Sequence, residues 1–198
     1  MNLGLSGSLK VVGIDEGYFP PEFKRKRLQT ILVAVLCDWT TPLDVKISRV
    51  TVDYDNVNDR VSELLSKFKV KSDLIILDGV TYAGFNVIDP KSLNEELGIP
   101  IITVFKHDLN MDRIRTALYK HFNDWRYRFT VIWNVYSNSR IIHTPWRPLR
   151  ISVYGINENR AIDLIIRLQK VSPIPEPLRL ADVIASGLTK NSGLLNML

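Results

Sequence analysis

The sequence of 198 residues contains one cysteine and three histidines, which limits the metal and redox chemistry that it can support. Cys37 alone cannot form an internal disulfide or a cysteine-rich zinc site, and its apolar surroundings predict a small buried side chain. His107, His121 and His143 show no zinc-type spacing. We therefore expect surface or structural roles for the histidines.

Long apolar runs and nucleotide-binding motifs are also missing from the sequence. No apolar stretch reaches the ~20 residues that span a bilayer, and the first residues do not resemble a signal peptide. A soluble, cytoplasmic protein with no membrane partner is expected. The sequence has no Walker-type phosphate loop, dinucleotide fingerprint or serine nucleophile elbow. Carboxylates remain as the residues with clear catalytic potential.

The composition predicts a globular protein, and its net charge is compatible with an anionic partner. Apolar residues make up 45% of the chain and charged residues 24%, as in ordinary globular domains. The formal net charge of +5 permits binding to nucleic acid but does not require it. The chain length favours one domain over residues 1–198, with a C-terminal embellishment from about residue 125.

The hydrophobic pattern predicts three strands followed by helix, strand, helix, strand and helix. Strands are expected at residues 10–14, 28–37, 45–52, 74–77 and 101–105, and helices at 57–68, 91–97 and 111–122. This is the order of a ribonuclease H-like α/β fold, in which an antiparallel meander joins parallel strands through crossover helices. The result is a mixed sheet flanked by helices.

The C-terminal third has a different pattern. Residues 129–133 and 149–154 read as two strands of a hairpin or of a small extra sheet, and residues 157–169 and 178–188 as amphipathic helices. Residues 18–27 read as a loop between the first two strands.

Two aspartates end two fully apolar strands. Asp15 follows Val11-Val-Gly-Ile14, and Asp78 follows Leu74-Ile-Ile-Leu77. Parallel central strands bring such ends to one edge of the sheet, where two carboxylates repel each other unless a cation neutralises them. A Mg²⁺ or Mn²⁺ site is one explanation, since hard ions prefer carboxylate oxygens. The other explanation is that each aspartate only initiates a turn.

Further acidic residues lie near this pair. Asp55 precedes the helix expected from residue 57, where it would either bind metal or stabilise the helix terminus. Asp53 is an alternative third carboxylate. Glu16 lies next to Asp15 and is a candidate for metal binding, directly or through water.

The loop at residues 18–27 carries aromatic and basic side chains. Tyr18 and Phe19 are candidates for stacking on bases or wedging between them, and equally for closing the domain as aromatic plugs. The basic run that follows would bind phosphates or serve as an ordinary solvated loop; it consists of Lys24, Arg25, Lys26 and Arg27.

Four segments together resemble the archaeal endonuclease dU family, which is related to endonuclease V. They are Val12-Gly-Ile-Asp-Glu-Gly17, Val52-Asp-Tyr-Asp55, Leu77-Asp-Gly-Val-Thr-Tyr-Ala-Gly-Phe-Asn86 and Pro175-Glu-Pro-Leu-Arg-Leu-Ala-Asp-Val-Ile-Ala-Ser-Gly187. The resemblance extends over nearly the whole chain. It implies an endonuclease V-like, ribonuclease H-like fold and metal-dependent incision of DNA that contains deaminated bases, deoxyuridine in particular.

The resemblance also implies roles for particular residues. Asp15 and Asp78 look like the family's strand-end aspartates, and Asp55 occupies a place similar to the endonuclease V glutamate. Lys106 resembles that family's lysine, which would steady the scissile phosphate. Glu16 stands where the family usually has a second aspartate.

The leading hypothesis is a Mg²⁺-dependent endonuclease that nicks DNA near a deaminated base, deoxyuridine or deoxyinosine. One alternative is a nucleic-acid-binding protein that has kept the fold and lost catalysis. The other is a nucleotide- or small-molecule-binding α/β protein, for which the segment Gly84-Phe-Asn86 is the best support. That alternative predicts a closed apolar pocket rather than an open basic groove.

Overall fold

A seven-stranded mixed sheet lies at the centre of the computed structural model, which describes residues 7–54 and 57–190. The strands are β1 (Lys10–Glu16), β2 (Gln29–Asp38), β3 (Thr41–Thr51), β4 (Leu74–Asp78), β5 (Thr81–Tyr82), β6 (Asn86–Val87), β7 (Ile101–Phe105), β8 (Arg140–Ile142) and β9 (Leu149–Tyr154). The order across the sheet is β3-β2-β1-β4-β7-β9-β8. Strands β5 and β6 form a separate short hairpin.

The strand directions confirm the predicted ribonuclease H-like arrangement. Strands β1, β2 and β3 form an antiparallel meander. Strand β1 then pairs with β4, and β4 with β7, in parallel. The central strands are apolar on both sides because helices cover both faces of the sheet.

Seven helices accompany the sheet in the described part of the chain: α1 (Pro21–Lys26), α2 (Val57–Ser66), α3 (Pro90–Leu97), α4 (Met111–His121), α5 (Trp125–Ser137), α6 (Glu158–Leu168) and α7 (Glu176–Lys190). Helices α2 and α3 pack on one face of the sheet, where Val12 and Ile14 point. Helices α6 and α7 cover the other face, where Val11 points. In the described residues no helix combines the length and apolarity of a membrane span.

The structure corrects the expectation of a strand at residues 129–133, which lie inside α5. Their β-branched and aromatic side chains suggest a strand, but Val131, Ile132 and Val135 follow helical spacing and bury one face against Phe105. Residues 149–154 do form a strand, but β9 extends the main sheet beside β7 instead of starting a second one. The segment 18–27 also contains a short helix, α1, with proline at its first position.

The expectations for cysteine and histidine are confirmed. Cys37 is a free, fully buried side chain in the layer between β2 and α7. His107, His121 and His143 are all exposed.

Candidate active site

Two aspartates and one lysine meet where three neighbouring parallel strands end. Asp15 lies near the end of β1, Asp78 is the last residue of β4, and Lys106 directly follows β7. The strand register aligns Ile14 with Leu77, and Asp78 with Val104. The prediction that Asp15 and Asp78 lie on one edge of the sheet is therefore confirmed.

The ammonium group of Lys106 bridges three carboxylates. Its Nζ lies 2.6 Å from Asp78 Oδ2, 3.2 Å from Asp15 Oδ2 and 3.4 Å from Asp182 Oδ2. The Asp15 side chain is buried, whereas Asp182 on α7 is 44% exposed. The lysine thus serves as the internal counter-ion of an acidic cluster.

This cluster lies in an open pocket of about 400 Å³ that brings together residues far apart in sequence. Four carboxylates and two ammonium groups line it, so its formal charge is negative. The lining residues are Asp15, Glu16, Gly17, Tyr18, Phe19, Asp78, Lys106, Asp182, Ser186 and Lys190. Such an open, charged pocket suits a phosphate-bearing substrate with a cation and does not suit an apolar ligand.

Burial and crowding of like charges disfavour ionisation of the acids in this pocket. Burial, followed by the neighbouring Asp78, raises the pKa of Asp15 far above its usual value. The same two causes raise the pKa of Glu16 to about 7. Burial alone would lower the pKa of Lys106, but the charges of Asp78 and Asp15 outweigh it and raise that pKa. The cluster has more negative charge than one lysine compensates.

The hydroxyl group of Tyr82 joins the ends of β1 and β4. It accepts a hydrogen bond from the Asp78 backbone N–H at 2.7 Å and lies 3.2 Å from the Ile14 carbonyl oxygen, to which it donates. The side chain is fully buried, so neither backbone group can turn to water instead. Tyr82 therefore holds the two acid-bearing strand ends in a fixed relation.

Helix α7 reaches the site because Gly13 leaves room for it. A Cβ atom at Gly13 would overlap the backbone of Pro177 and Leu178 in the first turn of α7. In that turn Arg179 donates to both carboxylate oxygens of Glu176 at 2.8 Å. This close packing on β1 sets the register that brings Asp182 to the strand edge.

Sequence reasoning missed Asp182. The residue belongs to the segment Pro175–Gly187 that carries the family resemblance, but nothing in its local pattern separates it from an ordinary helical aspartate. Only the packing of α7 on Gly13 brings it within 3.4 Å of Lys106. Its Oδ1 also accepts a hydrogen bond from Ser186.

The donor set fits a hard divalent cation in chemistry and charge. Carboxylate oxygens are the ligands that Mg²⁺ and Mn²⁺ prefer, and a cation would relieve the repulsion between Asp15 and Asp78. Among residues 7–54 and 57–190, however, no three His, Cys, Asp or Glu side chains form a ready metal-ligand group. Asp55, the predicted third ligand, lies outside the described residues.

Asp53, the alternative third carboxylate, has a structural partner. Its Oδ1 accepts a hydrogen bond from the Phe85 N–H at 2.7 Å, and its own N–H donates to the Ala83 carbonyl. Buried Asn86 donates from Nδ2 to the Thr51 carbonyl. The segment Gly84–Asn86 is thus the turn and start of β6 in the β5–β6 hairpin, anchored by Asp53.

The first part of the segment after β1 lines the pocket, and the basic run that follows is exposed to solvent. Tyr18, which is 51% exposed, and Phe19 both line the pocket. The basic run lies in and just after α1, is exposed, and is absent from the pocket lining; it comprises Lys24, Arg25, Lys26 and Arg27. Lys24 Nζ lies 5.9 Å from the centre of the Phe19 ring and so connects the run to the pocket edge.

Sequence comparison places this chain among archaeal proteins of one family. Residues 8–189 match the family described as endonuclease dU. A UPF0215 protein from Methanothermobacter thermautotrophicus is 34% identical over 190 residues, which cover 93% of this chain and 90% of that protein.

Structural comparison gives the same fold. A protein of unknown function from Archaeoglobus fulgidus superposes with a TM-score of 0.76 at 19% identity, covering 90% of this chain and 97% of the other. Endonuclease V of Ciona intestinalis, solved with a 24mer DNA containing an inosine followed by a ribo-adenosine, gives a TM-score of 0.61 at 15% identity. That match covers 93% of this chain and 87% of the other. The fold is the ribonuclease H-like fold of endonuclease V.

Proposed function

This chain belongs to the endonuclease dU family, and on that premise we propose that it is a metal-dependent endonuclease that nicks DNA at or near deaminated bases. Family membership supports a nuclease. The observation that carries the proposal furthest is the meeting of Asp15, Asp78 and Lys106 at the ends of three parallel strands. Carboxylates and one amine at such an edge suit phosphodiester hydrolysis.

Asp15 and Asp78 would hold the Mg²⁺ or Mn²⁺ ion, with Glu16 assisting. We assign Asp55 as a third ligand, as the family resemblance implies, and add Asp182 because its carboxylate shares Lys106 with the other two. Bound metal would supply the positive charge that activates water and stabilises the transition state of phosphodiester cleavage. The protein's own part is to hold buried acids in place before substrate binds.

Lys106 would have two tasks. Without metal, its ammonium neutralises the carboxylates, as the short contacts show. With the acids neutralised by a cation, the same ammonium would stabilise negative charge on the scissile phosphate.

The proposed substrate is DNA with a deaminated base, deoxyuridine first and deoxyinosine second. The family name supports deoxyuridine, and the inosine-containing DNA in the related Ciona complex supports deoxyinosine. A damaged base leaves the stack more easily than an intact paired one, and Tyr18 and Phe19, which line the pocket, would contact it. The exposed run from Lys24 to Arg27 would bind backbone phosphates.

An incision assay tests this function. Labelled duplexes that carry one deoxyuridine, one deoxyinosine or no lesion are incubated with the protein, in Mg²⁺ and in chelator. The proposal expects nicking of a lesion-bearing duplex in Mg²⁺ only. Salt-sensitive binding to every duplex without nicking would instead identify a nucleic-acid-binding protein that lacks catalysis.

A further inference from the structure

Helices α4 and α5 form a hairpin that is built onto the edge of the candidate site. Its inner face buries Leu118 and Ile132 against Phe105, which precedes Lys106, and against Val80, which follows Asp78. The Tyr136 hydroxyl, near the end of α5, donates to Asp108 and accepts from the Leu109 N–H just beyond Lys106. The hairpin is therefore fixed to the loops that carry the two charged residues.

The α4–α5 hairpin exposes three large aromatic side chains. Tyr119 is 69% exposed, Tyr127 58% and Trp133 49%. Tyr119 also contacts Trp125 edge-to-face, with 5.5 Å between ring centres, and Arg126 lies over the same indole at 4.8 Å. The contacting pair Tyr119 and Trp125 therefore forms an exposed aromatic patch, the kind of surface that a partner often covers.

The hairpin also carries several exposed cations. The hairpin contains five basic and two acidic residues, so its formal charge is positive. Four of its exposed cations form no ion pair in the described part of the chain: Arg113, Arg115, Lys120 and Arg126. Unpaired cations next to exposed rings are the combination that binds single-stranded nucleic acid, through phosphates and stacked bases.

A groove of about 540 Å³ lies within this surface. Tyr119 and Trp125 form aromatic walls, Arg115 provides a cation, and Asp112 and Thr116 offer polar groups to the edge of a base. Aromatic rings, a cation and polar groups are the contacts that bind the base ring, the phosphate and the base edge of a nucleotide.

The groove is connected to the candidate site by a series of ring contacts. Phe122, between α4 and α5, packs edge-to-face on Phe85 with 5.8 Å between ring centres. Lys24 lies over Phe85 at 5.7 Å and over Phe19 at 5.9 Å. Phe19 lines the acidic pocket. These contacts link α1, which borders the pocket, to the hairpin through Phe85.

We propose that the α4–α5 hairpin binds an unpaired stretch of the DNA strand in this groove, with a base stacked on Tyr119 or Trp125 and a phosphate at Arg115. The inference rests on the proposed function in so far as the strand is taken to be that of the incised substrate. The groove contributes affinity and strand placement, and the chemistry stays at Asp15 and Asp78.

Binding of a fluorescent single-stranded oligonucleotide, measured by anisotropy in chelator, tests the proposal without any need for cleavage. Tyr119→Ala is expected to weaken binding about tenfold, through loss of base stacking. Arg115→Ala should weaken binding and lower the slope of log K against log salt by about 0.7, the value for one lost phosphate contact on a single strand. Two control variants at exposed positions outside the hairpin, Trp146→Ala and Arg147→Ala, should each bind the oligonucleotide with the parent's affinity.

Photocrosslinking gives a second, independent readout. An oligonucleotide with 5-iodouracil should crosslink to the peptide that contains Tyr119 or Trp125. Unchanged affinity of Tyr119→Ala and Arg115→Ala would overturn the proposal, and so would self-association through this groove that these variants abolish. If Tyr119 governs binding but no duplex is ever nicked, the proposed nuclease fails while this surface stands. If lesions are nicked, and Tyr119→Ala and Arg115→Ala bind the oligonucleotide with the parent's affinity, only this inference fails.

Discussion

The Nζ atom of Lys106 lies 2.6 Å from Oδ2 of Asp78, the shortest contact between charged side chains at the sheet edge. Asp78 ends β4 and Lys106 follows the neighbouring parallel strand β7, so β5, β6, α3 and β7 lie between the two residues in sequence. Because Asp15 and Asp182 share the same ammonium, one lysine stabilises the whole cluster when metal is absent. This relationship leads to the first two predictions.

Lys106→Met should destabilise the metal-free protein. It leaves a buried and a half-buried carboxylate without their counter-ion, which costs roughly 3 kcal/mol. Mg²⁺ should restore part of that loss, so that the melting temperature rises more on adding Mg²⁺ to the variant than to the parent. Lys10→Met, which breaks the pair with Asp38 at the other end of the sheet, should cost less than about 1 kcal/mol and show no added Mg²⁺ response. A Lys106→Met protein as stable as the parent in chelator would contradict this prediction.

Part of the unfolding free energy of the metal-free protein should be lost as the pH rises. Burial and Asp78 raise the pKa of Asp15 far above its unfolded value and that of Glu16 to about 7. The folded state then binds more protons than the unfolded chain above about pH 4, so these groups cost stability as the pH rises towards 7 and beyond.

Denaturant unfolding of the parent and Asp15→Asn, in chelator at pH 5 and pH 8, measures this effect. The variant should gain stability over the parent, and the gain should be larger at pH 8. Asp44→Asn is the opposite control, because the hydrogen bond from Lys46 lowers the pKa of Asp44. An Asp15→Asn protein that loses stability relative to the parent at pH 8 would contradict the proposed repulsion.

Tyr82→Phe should disturb the site without changing its charged groups. The Asp78 N–H and the Ile14 carbonyl lose their shared hydroxyl in a dry environment, at a cost of about 1–3 kcal/mol. With Asp78 less firmly held, the Mg²⁺ concentration for half-maximal incision should rise. Tyr54→Phe, on an exposed ring, should leave both quantities unchanged. The prediction fails if Tyr82→Phe loses stability but keeps the parent's Mg²⁺ dependence.

Gly13→Ala should separate α7 from β1. The new methyl group overlaps the backbone at Pro177 and Leu178, so the helix must shift and carry Asp182 away from Lys106. We expect a loss of about 1–3 kcal/mol in unfolding free energy and reduced incision. Gly187→Ala, on the same helix with open space around its Cβ position, should instead be neutral or stabilise by up to ~1 kcal/mol. Equal stability of the two variants would contradict the close packing of α7 on Gly13.

The sequence was sufficient to place Asp15 and Asp78 because their signal is local. Each ends an apolar run, and parallel strands bring such ends together by geometry alone. Lys106 has no comparable local signal, and only the family resemblance singled it out. Asp182 depends on the register of a helix packed against Gly13, which no local pattern reveals.

The one wrong strand has a similar cause. Residues 129–133 have strand-like composition, and the helical spacing of Val131, Ile132 and Val135 only gains meaning once Phe105 and Val80 offer a surface to cover. Tertiary packing, rather than intrinsic propensity, decides the structure of this segment. Because residues 129–133 were predicted as a strand, the sequence did not predict the α4–α5 hairpin that is proposed to bind DNA.

Incision of a lesion-bearing duplex by matched variants shows whether Asp15 and Asp78 carry the proposed nuclease activity. Asp15→Asn and Asp78→Asn are compared with the parent in Mg²⁺, beside Asp38→Asn at the opposite end of the sheet. We expect both site variants to stay folded, bind DNA and lose more than about 100-fold in rate, while Asp38→Asn cuts as the parent does. Mg²⁺-dependent incision at the parent's rate by either Asp15→Asn or Asp78→Asn would contradict this prediction.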